Sequence, residues 1–209
     1  MLIALVILYV VTLVYFAITE RFRNYATLVG LQGWILMGIA LMRLHGGSLA
    51  ELLFVVVETL VFKAVIVPAM LFRIIRRTGI NRVSRGAVSV FDSLLLSVAA
   101  LGVSIGVTYY IADTTVNMVF FGVALYALIS GLLLVINRRR IFSHLVGFLV
   151  IENGVFLFAM AIGAEMPFLI NIAILLDILI SVLMLGMFLS KIGAVMHDLD
   201  ADRLTTLKD

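Results

Sequence analysis

The chain has 209 residues, 64% apolar and 13% charged, with a mean hydropathy of +1.26, against roughly 45–50% apolar and 25% charged in ordinary soluble domains. These figures exclude a water-soluble protein, and spans of about 20 residues each leave no room for a soluble catalytic domain. The absence of cysteine removes disulfides, thiolate ligands, iron–sulfur ligation and a cysteine nucleophile together; the net charge of +3 says less than the placement of the charges.

Apolar runs bounded by charge or turn residues fall at Leu2–Thr19, Tyr25–Met42, Leu52–Arg73, Val88–Ile111, Val116–Ile136, Ile141–Ile162 and Pro167–Ile192, which predicts seven membrane-spanning helices. Hydrocarbon offers no partner to an open sheet edge, so the predicted fold class is all-α, a polytopic integral membrane bundle. Met1 to Thr19 has neither a basic leader nor a small-residue cleavage site and reads as a retained first helix. Arg21, Arg23, Arg73, Arg76, Arg77, Arg82, Arg85, Arg138, Arg139, Arg140, Lys191, Arg203 and Lys208 all fall on one side of this seven-span arrangement. Arg43 alone falls on the other, and Lys63 lies within a span. Positive-inside sorting puts the amino end outside and the carboxyl end in the cytoplasm.

No repeat is visible, and Pro68 and Pro167 are the two prolines, so no proline-rich linker divides the chain. Arg76 to Arg85, RRTGINRVSR, is the longest loop; it reads as a retention signal or as a basic stripe on the anionic leaflet. Gly102 and Gly106 form a GxxxG, which predicts close helix packing. His45 and His197 are lone histidines near membrane edges, and Asp92 sits near a helix start.

Four ionisable residues sit well inside predicted spans: Glu58, Lys63, Glu152 and Asp177. Each costs on the order of 2.5–3.5 kcal/mol at a helix centre if ionised and unpaired, so all four should face the bundle interior or a partner subunit. In an antiparallel hairpin Glu152 and Asp177 both lie near the membrane midplane and address a common hydrated space. Ser181, four residues after Asp177, shares its face, and His144, nearer the cytoplasmic end, is placed to hand protons inward. Pro68 lacks an N–H and clashes with the preceding turn, which predicts a kink beside Lys63. Glu58 and Lys63, five apart, are not an ideal intrahelical pair, so Lys63 is expected to bridge toward Glu152 or Asp177. The alternative reading of the same charges is a static lock between helices or subunits. No metal-ligand spacing, HExxH, GxSxG, P-loop or dinucleotide fingerprint is present, and neither a metal nor nucleic acid is expected as a ligand.

The stretches GFLVIENG at Gly147–Gly154, ILLDILISVLMLGMFLSKI at Ile174–Ile192, the tail LDADRLTTLKD and the helix VFKAVIVPAML at Val61–Leu71 resemble the hydrogenase-4 component E family, membrane subunits of group 4 nickel–iron hydrogenase complexes of the formate hydrogenlyase type. In that family the carboxyl half is similar to the K-type subunit of complex I and to the C-type subunit of multisubunit cation/proton antiporters. The resemblance implies a division into membrane helices at 1–140, a K-type-like helix pair at 141–192 carrying Glu152 and Asp177, and a cytoplasmic tail at 193–209. Glu152 and Asp177 would match the two K-type acids, with an aspartate in place of the second glutamate, and Asn153 belongs to the ENG motif. The implied role is a cofactor-free subunit in the inner membrane of a prokaryote, lending Glu152 and Asp177, biased by Lys63, to proton or sodium translocation coupled to hydrogen evolution; Glu58, which matches no motif of that family, and His144 are candidates for the same path from the residues alone, with Ser181, Pro68 and Asn153 in support. Implied partners are antiporter-like membrane subunits, a hydrogenase membrane-anchor subunit and the cytoplasmic hydrogenase arm, which would carry the nickel–iron and iron–sulfur centres. An antiporter subunit and a static scaffold are the competing readings.

Overall fold

The computed structural model describes residues 1–43, 58–78, 89–111, 116–138 and 141–162, which are helical with no strand among them. The predicted seventh span, Asp177, Ser181 and the tail lie outside the described residues, as does most of the Arg76–Arg85 loop. The elements are α1 (Leu2–Ile18), α2 (Phe22–Arg43), a π-helical segment (Glu58–Ile66) running directly into α3 (Val67–Thr78), α4 (Val90–Ile111), α5 (Met118–Asn137) and α6 (Ile141–Ile162). Among the described residues four helices are long and apolar enough to cross a membrane, Phe22–Met42, Val90–Ile111, Met118–Asn137 and Phe142–Ile162, and Leu2–Ile18 is a shorter apolar helix. A 22-residue helix spans about 33 Å, matching a hydrocarbon core of about 30 Å.

Where the helices end is set by local chemistry. Ser89 precedes α4 and its hydroxyl accepts from the Asp92 N–H at 3.1 Å while donating to the Asp92 carboxylate at 2.7 Å, a capping arrangement in which Asp92 has a structural task. Asn117 caps α5 by accepting from the Phe120 N–H at 3.2 Å, and its own N–H donates to the Ala161 carbonyl at 3.0 Å. The start of α5 is thereby tied to the end of α6.

Two ends of the bundle follow from such contacts. At one end Phe16 stacks on Tyr25 at 5.7 Å, Phe22 meets Phe142 edge-on at 4.6 Å, and the Arg138 guanidinium donates to the Ala17 carbonyl at 3.1 Å. At the other, Asn117 meets Ala161. Along α2, Gly30 faces Pro68 and Gly33 faces Lys63, so the π segment and α3 run antiparallel to α2 and Thr78 comes to the aromatic end. Arg21, Arg23, Arg73, Arg76 and Arg138 therefore gather at that end, and Arg43 lies at the other.

Small residues set the tightest packing. A Cβ at Gly131 would lie 2.7 Å from the Gly147 carbonyl oxygen and 2.6 Å from the Ile151 side chain; one at Gly154 would lie 3.1 Å from Ala127. Lipid gives helices no hydrophobic reason to associate, so backbone approach through small residues supplies the dispersion contacts instead. The predicted packing motif differs from this seam: among the described residues nothing lies within 4 Å of a Cβ at Gly102 or Gly106. Both sit on the outer face of α4, whose buried side is Ser93, Ser97, Ala100 and Ser104. Spacing alone marks a smooth helix face without saying what covers it.

Candidate functional site

Lys63, Glu152 and Asn153 are brought into one interior region, and the means is α2. The chain's single glutamine, Gln32, is fully buried halfway along α2. Its amide nitrogen donates to the Thr12 hydroxyl at 3.0 Å, and its carbonyl accepts from the Asn153 amide at 3.1 Å. Thr12 in turn donates to the Tyr9 carbonyl at 2.6 Å. That last bond fixes every direction in the chain: a hydroxyl spending its proton on a carbonyl can only accept from Gln32, which orients the amide and leaves its oxygen for Asn153. Three helices, α1, α2 and α6, are thus pinned together at the middle of α2 by one polar chain.

Next to Gln32, Gly33 lets the lysine-bearing backbone approach. A Cβ there would fall 2.6 Å from the Lys63 carbonyl carbon and 2.7 Å from its oxygen. Lys63 thereby reaches the middle of α2 although it stands only six residues into its own described helix. Its ammonium lies 4.8 Å from the centroid of the Phe156 ring, a cation–π contact worth up to about 2 kcal/mol when desolvated. Phe156 is one turn beyond Glu152 on α6, and both ionisable side chains are buried, Lys63 to 6% exposure and Glu152 to 7%. A cation, a carboxylate, an aromatic face and a three-helix amide chain therefore share the bundle interior.

The turn that carries Lys63 differs from the predicted kinked α-helix. The nine residues Glu58–Ile66 wind as a π-helix, and α-helical geometry begins at Val67. In a regular α-helix the Pro68 ring would strike the carbonyl four residues back, that of Ala64; widening the turns ahead of it relieves that contact. Such π segments are rare and concentrate at functional sites. Pro68 itself packs on Gly30, whose Cβ would lie 3.1 Å from the ring.

The remaining expected residues fall elsewhere. Glu58 opens the π segment, and its side chain lies outside the described residues. His144 has Nε2 2.6 Å from the Arg138 carbonyl; the ring donates there and staples the α5–α6 turn. Arg138, counted with the loop arginines between the fifth and sixth predicted spans, stands just past Asn137, is buried and spends part of its guanidinium on the Ala17 carbonyl. Gln32, Thr12 and Gly33 were not singled out from the sequence. The available signal was the lone glutamine in the middle of one apolar run and Asn153 in the middle of another. No group of three His, Cys, Asp or Glu residues able to hold a metal occurs among the described residues.

These features define an all-helical protein with, among the described residues, four helices long and apolar enough to cross a membrane and a polar, charged interior. No family model matches the chain, and no solved structure matches it. It is similar to the uncharacterized protein Rv0085 of Mycobacterium tuberculosis, with 24% identity over 192 residues, 90% of this chain and 86% of that protein.

Proposed function

We propose that the chain is a cofactor-free membrane subunit of a complex-I-like group 4 hydrogenase, and that Lys63 and Glu152 belong to an intramembrane path for protons or sodium ions. In this reading the chain crosses the membrane seven times with its amino end outside, and Asp177 supplies a second carboxylate. Its partners are antiporter-like subunits, a membrane-anchor subunit and a soluble arm carrying the metal centres. The observation that carries the reading is the burial of Lys63 over Phe156, one turn from buried Glu152, on a π-helical segment. Ionisable groups so placed cost several kcal/mol to insert and are retained where charge must change or move. The sequence resemblance to hydrogenase-4 component E supplies the reaction class.

The test uses the intact complex in sealed inverted vesicles. Glu152→Gln is expected to leave subunit assembly unchanged and abolish acidification or sodium uptake during hydrogen evolution. Lys63→Met is expected to displace the pH profile of turnover. Normal pumping by both variants overturns the reading and leaves a static scaffold. Co-purification with antiporter chains and no hydrogenase chains would place the same site in a secondary antiporter instead.

A further inference from the structure

A second polar feature lies apart from Lys63 and Glu152, between α1, α4 and α5 at the arginine-rich end. It is a cleft lined by Leu13, Phe16 and Ala17 on one side and by Ser93, Ser97, Ser130, Asn137 and Arg138 on the other, with about 20 Å³ of space for solvent. That exceeds the roughly 10–15 Å³ one water needs. Ser93, 5% exposed, has a buried hydroxyl oxygen with no hydrogen-bond partner among the described residues, and the equally buried Ser130 turns its hydroxyl toward that of Tyr126. Deeper in, Ser97 shares a hydrogen bond of 2.7 Å with the Tyr126 hydroxyl. A buried hydroxyl left unbonded is costly, so Ser93 calls for a partner that water in the cleft can supply.

We propose that this cleft is a water inlet leading from the basic end of the bundle to the Ser97–Tyr126 pair. Ser93 and Ser130 supply the two or more polar contacts that hold an internal water. The two walls reach the same depth: Ser97 lies seven residues from the start of α4 and Ser130 seven from the end of α5, about 10 Å each, a third of the hydrocarbon thickness of about 30 Å. Arg138 stands at the mouth, its guanidinium held by Ala17. A fixed positive charge there repels sodium and potassium ions and admits neutral water. The inlet does not depend on the role of Lys63 and Glu152.

The natural absence of cysteine makes the test direct. Single Ser93→Cys and Ser130→Cys substitutions, and Leu132→Cys on the outer face of α5 as control, are made in the full chain in native membranes. They are treated with a neutral methanethiosulfonate and with its trimethylammonium analogue. Ser93→Cys and Ser130→Cys should react with the neutral reagent roughly tenfold faster than the control, and roughly tenfold faster than with the cationic one. Adding Arg138→Gln should narrow the second gap. Rates equal to the control overturn the inlet, and equal rates for the two reagents overturn the cation barrier. In the unaltered protein, hydroxyl-radical footprinting should oxidise Tyr126, whose hydroxyl is bonded to cleft-lining Ser97, well above Tyr9, which is also fully buried and does not line the cleft; equal labelling overturns the proposal without any mutation. Repeating the labelling on Glu152→Gln should give the same pattern, so that failure here and failure of the pumping role are told apart.

Discussion

Gln32 occupies the position on which the interior geometry turns. It hydrogen-bonds both Thr12 and Asn153, and replacing it by leucine keeps the volume while stranding the Asn153 amide. Gln32→Leu is expected to cost about 1–2 kcal/mol, read as a lowered thermal midpoint in detergent; Thr12→Val, which interrupts only the far end of the chain, should cost less. An unchanged midpoint for Gln32→Leu would mean that the amide chain does not hold the three helices together. Ionisable residues stand out in an apolar sequence because their insertion cost is large, which is why Lys63 and Glu152 were legible from the letters alone. An amide costs far less, and its value depends on a partner more than a hundred residues away, so Gln32 carried no local mark. Arg138 stands past the end of its helix where the charge count placed it, but a count of charges carries no sign of its burial against the Ala17 carbonyl.

At the scale of single elements, the apolar runs placed the helices to within about three residues of α2, α4, α5 and α6, because hydropathy and length fix what a bilayer accepts. The π-helical segment was beyond that reasoning, since period and composition do not distinguish a helix widened ahead of Pro68 from one that bends there. Glycine pairs were legible as such but not as contacts. Gly33→Ala is expected to displace the Lys63 backbone, because its Cβ would overlap carbonyl atoms rather than the tip of a flexible side chain. Gly131→Leu should cost about 3 kcal/mol or more through overpacking. Gly102→Leu should be tolerated in the isolated chain. Yields of folded, monodisperse protein order the three; loss at Gly102 matching that at Gly131 would show that the outer face of α4 is covered.

On the scale of the whole molecule, one-sided arginines give the bundle a direction. Labelling single cysteines at Arg23 and Arg43 in cells, with a reagent that does not cross membranes, should mark the second and spare the first; the reverse would invert the assignment of the amino end. Deleting Leu204 to Asp209 should weaken association with a cytoplasmic partner while leaving membrane insertion unchanged, and an equally strong complex would remove the tail from docking. The seam joining α5 to α6, where glycine on one helix meets backbone on the other, carries a mechanical corollary. Strands of a rope laid this close have no slack, so the pair turns as a single lever; any stroke made by this protein must come from neighbours swinging about it.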